Sequence, residues 1–98
     1  MSDPIYVFFG IWPEARLWWR EFWVPPADVI MASTPIPKIR KAVEGRRIIM
    51  IRGTSVPYGA DGAERWRECA EWVRQYNTEH DWVSEVRQKT DPPTKGTS

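Results

Sequence analysis

The single histidine and the single cysteine of this 98-residue chain are its candidates for nucleophilic or acid–base chemistry. A catalytic nucleophile needs a general base beside it, and histidine is the usual base. His80 lies in a polar stretch near the end of the chain, where we expect a side chain that faces solvent. Cys69 lies within the apolar stripe of an expected helix, where a small buried thiol is ordinary packing. We therefore predict no catalytic residues and a protein that is not an enzyme.

The chain also lacks the residues that metal and cofactor sites usually need. Structural zinc sites take four Cys or His ligands, and this chain has one of each. Magnesium sites use carboxylates at strand ends, whereas the first and third expected strands end in Phe9-Gly10 and Arg52-Gly53. Segment 53–62 has neither the Gly-Lys-Ser/Thr ending of a P-loop nor G-x-G-x-x-G spacing. We predict no metal and no cofactor.

Polar groups at the expected strand ends suit the binding of an anion. In open parallel sheets, ligands bind beyond the carboxyl ends of the strands, which brings together Arg52, Thr54 and Ser55. A guanidinium, two hydroxyls and free backbone amides can hold a phosphate or a carboxylate. Short polar residues at strand ends are also what any turn needs, so this observation leaves both interpretations open.

A local basic cluster in segment 38–47 offers a second contact for phosphate groups. It includes Arg46 and Arg47, and each phosphate that such residues neutralise adds a salt-dependent increment of affinity. A solvated helix face explains the same charges without a ligand. Nucleotide or nucleic-acid binding through segment 38–47 and loop 53–62 is therefore our second functional hypothesis.

The elements that position these residues follow from the apolar pattern. The expected strands are 5–9, 28–33 and 47–52, and the expected helices are 13–23, a short one through Ile36, Ile39 and Val43, and about 62–77. Segment 78–88 fits a short helix or an edge strand, and we predict a helix. Three strands that alternate with three helices predict a small α/β fold with a three-stranded, mainly parallel sheet.

A winged helix-turn-helix is the alternative fold. In it, 26–32 would be the first helix, 37–44 the recognition helix and 47–52 part of the wing, but the contiguous apolar run at 29–31 argues against an amphipathic helix there. For either fold we expect one globular domain over residues 1–88. The segment 89–98 carries Pro92-Pro93 and small polar residues, which predicts a disordered tail.

The order of these elements resembles the core of a Toprim domain, the α/β fold of primases and topoisomerases. The resemblance covers residues 5–77 and is carried by the strand ending at Gly10, the strand at 29–33, the segment 45–51 and Asp61-Gly62-Ala63-Glu64 before a helix. The metal-binding glutamate of that family corresponds to Phe9 here, and its paired aspartates are absent from 53–55. The resemblance implies the fold without the metal chemistry, and no catalytic residue is transferred.

Seven tryptophans are a large number for a chain of this length. Each buried indole takes up about 150–250 Å² of surface, so we expect one or two to remain outside. Helical spacing places Trp18, Trp19 and Trp66 in the core. Trp23 and Trp72 lie at the margins of their helical stripes, and we expect both at a contact surface.

The predicted partner follows from charge and composition. The chain has 14 basic and 13 acidic residues, so no global field draws it to nucleic acid or to a membrane. Its opening residues do not resemble the basic start of a signal peptide, it has no membrane-length apolar run, and its single cysteine suits a reducing compartment, so we expect a cytoplasmic protein. Tryptophan and arginine dominate binding hot spots. We predict a small binding protein that uses Trp23, Trp72, Arg16 and Arg20 to contact a protein partner or a second copy of itself.

Overall fold

A four-stranded parallel sheet forms the centre of the protein, in a computed structural model that describes residues 4–54 and 59–90. The strands are β1 (Ile5–Phe9), β2 (Val29–Met31), β3 (Ile48–Arg52) and β4 (Glu85–Gln88), and the helices are α1 (Trp12–Glu21), α2 (Ile36–Val43) and α3 (Gly59–Glu79). The strand order is β2-β1-β3-β4, and every neighbouring pair is parallel. The predicted α/β fold with a parallel sheet is confirmed.

The sheet has a fourth strand where we predicted a helix. Helix α3 continues to Glu79, the chain turns through Asp81 with a φ of 60°, and β4 then pairs with β3 from Ile49↔Glu85 to Arg52↔Gln88. The prediction of a helix over 78–88 and of three strands is therefore wrong. The physical reason is that an edge strand has one neighbour and keeps many polar side chains, so its pattern lacks the apolar run of a central strand.

The winged helix-turn-helix alternative is excluded by this sheet. Residues Pro26–Asp28 form one turn of 3-10 helix, and the chain then enters β2. The predicted connection 53–62 is shorter than expected because α3 begins at Gly59. Ser55 and the rest of 55–58 lie outside the described residues, as do 1–3 and most of the predicted tail, 91–98.

The start of the predicted tail is part of the fold. Lys89 and Thr90 form a turn, and the Lys89 N–H donates to the carbonyl of Arg52 at 3.0 Å. This hydrogen bond continues the contact between β4 and β3 beyond the last strand residue.

Two apolar layers cover the sheet, one on each face. Ile5, Val7 and Phe9 of β1 pack with α2 and α3, whereas Tyr6 and Phe8 pack with α1. Burial on both faces explains why β1 is an unbroken apolar and aromatic run. Within the described residues, no helix is both long and apolar enough to cross a bilayer.

Helix α1 ends in a turn that determines where Trp23 lies. The Phe22 N–H donates to Trp18 O at 3.1 Å and the Val24 N–H donates to Trp19 O at 2.9 Å. The second bond is the long-range bond of a Schellman motif, which places Trp23 at the position that normally adopts left-handed backbone angles. Trp23 has a φ of 57° there.

Candidate functional site

The sheet has a topological switch point between β1 and β3. The chain moves from β1 to one neighbour, β2, and then crosses to the other neighbour, β3. In open α/β sheets the crevice beyond the carboxyl ends of the strands at such a point is the usual ligand site. Here the two strand ends are joined by a hydrogen bond from the Gly53 N–H to the Phe9 carbonyl, at 2.9 Å.

The carboxylate of Glu14 occupies this crevice. Glu14 is 8% exposed, and its Oε2 accepts hydrogen bonds from the Thr54 N–H at 2.8 Å and from the Thr54 hydroxyl, and pairs with Lys89 Nζ at 3.0 Å. A Cβ atom on Gly10 or Gly53 would overlap Glu14 Oε1, so the two glycines make room for the carboxylate. The Thr54 donors that we predicted for an external anion therefore bind an internal one.

The burial of Glu14 was not predicted from the sequence. An acid in the first turn of a helix is explained by the helix dipole alone. The available signal was its spacing, because Glu14 lies four residues before Trp18 and so falls on the buried side of α1.

The other residues of the predicted anion site lie at two ends of the sheet. Arg52 ends β3, whereas Arg47 precedes it, and five strand residues span about 16 Å. Arg46 pairs with Asp28 at 2.9 Å and also donates to the Pro4 carbonyl, and Arg47 pairs with Glu85 at 2.5 Å. Arg46 and Arg47 thus lie near the amino end of β3, away from Arg52, and both are ion-paired.

Glu85 joins two arginines on the face of the sheet that α1 covers. Besides Arg47, it accepts a hydrogen bond from Arg87 Nε at 2.8 Å. Burial raises the pKa of Glu85, but the hydrogen bonds and positive charges of Arg87 and Arg47 outweigh burial and hold the pKa below its ordinary value. The same face carries Ile49 and Ile51 in register with Glu85 and Arg87, so this ion cluster borders the apolar layer of β3.

The outward side of α1 is the main exposed apolar surface among the described residues. We call it the α1 surface and define it by Ile11, Trp12, Arg16, Leu17, Arg20 and Trp23. Trp23 is 91% exposed, Leu17 67% and Trp12 56%. Neither Arg16 nor Arg20 forms an ion pair with a described residue. Of the four predicted contact residues, Trp23, Arg16 and Arg20 therefore lie together on one helix and its C-terminal turn.

The fourth predicted contact residue, Trp72, lies on the other side of the sheet. It is partly buried against the layer that α2 and α3 cover, and its ring stacks on Tyr76 with centroids 5.2 Å apart. The aromatic series continues from Tyr76 to His80 and from His80 to Trp82. Trp72 thus belongs to an aromatic ladder along α3 and does not share a surface with Trp23.

Cys69 and His80 do not form a catalytic pair. Cys69 is buried, and burial raises the pKa of its thiol to about 11. His80 comes directly after the end of α3, 11 residues after Cys69, and this separation corresponds to about 16 Å along a helix axis. His80 is exposed, and its Nδ1 lies 2.9 Å from the Tyr76 carbonyl. In the described part of the chain, no three His, Cys, Asp or Glu side chains are grouped to hold a metal ion.

A separate cavity of about 340 Å³ opens at the carboxyl edge of the sheet on the α3 side. Its lining comes from three strands and α3, and consists of Phe9, Met50, Arg52, Trp66, Arg67, Ala70 and Val86. The Phe9 and Trp66 rings meet edge to face, with centroids 5.6 Å apart. We call this cavity the edge pocket.

The comparisons with known proteins find no relative of this chain. The resemblance to a Toprim core remains a prediction. No family model matches the chain, and neither a curated protein nor a solved structure is similar to it at a significant level.

Proposed function

We propose that this protein functions by binding an acidic, apolar segment of another protein through the α1 surface. The observation that carries the proposal is the state of Trp23. Its backbone is left-handed, with a φ of 57°, and the residue is 91% exposed.

A tryptophan at this position destabilises the isolated fold. Left-handed backbone angles cost a non-glycine residue about 1–2 kcal/mol, and glycine is the usual residue at this point of a Schellman turn. A buried indole would offset that strain by packing, but the Trp23 ring contacts almost nothing. Strained backbone conformations are found most often at functional sites such as ligand clamps.

The residues around Trp23 have the composition of a binding hot spot. Trp12 and Leu17 add exposed apolar area, and Arg16 and Arg20 add guanidinium groups without a described partner. Tryptophan and arginine are the residues that most often carry binding energy at interfaces. The α1 surface therefore offers apolar anchors beside unneutralised positive charge.

The charge of the α1 surface favours a different protein over a second copy of this chain. The exposed charged residues of α1 are these two arginines and one acid, Glu21, so the exposed side of the helix carries a net positive charge. A two-fold contact between copies would place these positive surfaces against each other, and like charges at an interface oppose association. A partner segment with carboxylates among apolar side chains would complement both features.

A photo-crosslinking amino acid at Leu17 tests the proposal in extracts of the native host. We expect a covalent adduct whose crosslinked peptide is rich in Asp, Glu and apolar residues, and we expect Trp23→Gly to reduce its yield at least tenfold. The matched control is Glu44→Gly, which replaces another left-handed residue, at φ 46°, away from α1. Equal yield from Trp23→Gly would contradict the proposal.

Two other outcomes would replace the proposed partner. An adduct with a second copy, together with a doubled mass in light scattering, would show self-association. Retention of nucleic acid that is lost on Lys38→Ala with Lys41→Ala, but kept on Trp23→Gly, would favour binding through the basic segment 38–47.

A further inference from the structure

The edge pocket is formed because α3 covers β3 but not β4. Met50 and Val86 are paired in register and face the same side of the sheet. Met50 is buried under α3, whereas Val86 is 58% exposed. An apolar surface therefore remains uncovered between α3 and the edge strand. The edge pocket that it forms has a volume of about 340 Å³, near the lower limit of small-molecule pockets, about 300–1,000 Å³.

The interior of the edge pocket is aromatic and aliphatic. Trp66 and Phe9 provide two rings in edge-to-face contact, 5.6 Å apart, and Met50, Ala70 and Val86 complete the apolar lining. Flat apolar ligands gain most from such walls, because aromatic rings prefer offset-stacked or edge-to-face neighbours. The pocket thus suits one planar ring system.

Two positive charges border this apolar interior. Neither Arg52 nor Arg67 is hydrogen-bonded or ion-paired through its guanidinium to any described residue, whereas Arg46 and Arg47 are both paired with acids. A guanidinium presents parallel N–H donors that match the two oxygens of a carboxylate. The border of the pocket is therefore complementary to an anion.

We propose that the edge pocket binds a small aromatic carboxylate. Its ring would lie against Trp66, Phe9 and Val86, and its carboxylate would pair with Arg52 and Arg67. A phosphate ligand is less well matched, because the Thr54 N–H and hydroxyl that could bind it at this edge already bind Glu14. This site is on the opposite face of the sheet from the α1 surface and does not depend on the proposed partner.

Calorimetric titration of the full chain with indole-3-acetate and 2-naphthoate tests the proposal. We expect saturable binding of at least one of them, and no binding of the matching uncharged amide or of acetate. Arg52→Gln and Arg67→Gln should each weaken binding about tenfold or more, because a hydrogen bond to a charged group contributes about 1.5–3 kcal/mol. Arg74→Gln, on the same helix but outside the pocket, should leave the affinity unchanged.

A variant that fills the pocket provides an independent test. Val86→Phe adds a ring to the exposed edge strand, and we expect it to abolish binding while the melting temperature without ligand stays within a few degrees of the wild-type value. No saturable binding of either carboxylate at millimolar concentration would overturn the proposal. Binding that survives Arg52→Gln and Arg67→Gln, or tighter binding of a nucleoside monophosphate than of the carboxylates, would also overturn it.

Discussion

The side-chain amide of Asn77 pairs with both backbone polar groups of Ile48. Asn77 Oδ1 accepts from the Ile48 N–H at 3.4 Å, and Asn77 Nδ2 donates to the Ile48 carbonyl at 3.0 Å. The register of β4 begins one residue later, at Ile49, so the amide of Asn77 takes the place of a strand neighbour. Its backbone carbonyl also accepts from the Trp82 N–H at 2.8 Å, which orders the turn into β4.

We expect Asn77→Leu to lower the free energy of unfolding by about 1–3 kcal/mol. Leucine has a similar size but leaves the buried N–H and carbonyl of Ile48 without partners, and an unsatisfied buried group costs about this much. Urea denaturation followed by circular dichroism measures the change. Gln75→Leu is the control, since Gln75 is exposed on the same helix and should change stability by less than about 0.5 kcal/mol. Equal stability of the two variants would contradict this role of Asn77.

We expect Glu14→Gln to lower the free energy of unfolding by about 1–3 kcal/mol. Glutamine keeps the size of the side chain but removes the charge that pairs with Lys89 and strengthens both Thr54 hydrogen bonds. Denaturant unfolding of Glu14→Gln, Lys89→Met and the double variant measures the coupling between the two side chains. Groups in one hydrogen-bonded network couple by about 0.5–3 kcal/mol, so strictly additive losses would contradict a specific Glu14–Lys89 contact.

The central part of the fold was predictable because its residues carry strong periodic signals. The run Ile5–Phe9 and the α1 stripe through Trp18 and Trp19 each match one type of element, and both are where we expected them. Strand β4 was not predictable with the same rules. In Glu85–Gln88 the charged Glu85 and Arg87 are the partly buried residues and Val86 is exposed, so polarity runs opposite to burial, and the pairing partner β3 is distant in sequence.

Among the candidate site residues, the exposure of Trp23 was predictable, whereas the burial of Trp72 and of the polar residues Glu14 and Asn77 was not. Trp23 was expected at the margin of the α1 stripe and is 91% exposed, whereas Trp72, expected at the margin of the α3 stripe, is partly buried. Glu14 and Asn77 lie on the buried sides of their helices, four residues from the buried Trp18 and Val73, respectively. Their spacing therefore predicts burial, whereas their polarity predicts exposure. Such a conflict is resolved only by partners from other elements, here Thr54 and Ile48, which local sequence does not identify.

We expect the contribution of Glu85 to stability to be lost in acid. Its pKa is held below the ordinary value of 4.5 in the folded protein, so the folded state favours the ionised form. This contribution is complete above the unfolded-state pKa and is lost as the pH falls through the lower folded-state pKa. The measurement is the stability difference between the wild type and Glu85→Gln from pH 7 to pH 3.

The difference for Glu85 should be constant well above pH 4.5 and should shrink as the pH falls below 4.5. Arg87→Gln is the matched variant, because Arg87 is a main cause of the lowered pKa of Glu85. In the Arg87→Gln background, the folded-state pKa of Glu85 should lie closer to its unfolded-state value, so the contribution of Glu85 to stability should be smaller and should be lost completely at a higher pH. Parallel stability curves for the wild type and Glu85→Gln over the whole range would contradict the ion cluster.

We expect Trp23→Gly to stabilise the isolated protein by up to about 1 kcal/mol while it removes partner binding. Glycine relieves left-handed strain of about 1–2 kcal/mol, and its greater freedom in the unfolded chain offsets about 0.5–1 kcal/mol of that gain. Trp23→Ala separates the two effects, because it removes the indole but keeps a Cβ at a φ of 57°. Its stability should stay near that of the wild type, and its partner binding should be lost as in Trp23→Gly. Thermal unfolding and the crosslinking yield at Leu17 measure the two effects, and a Trp23→Gly protein less stable than Trp23→Ala would show that the left-handed backbone is not strained.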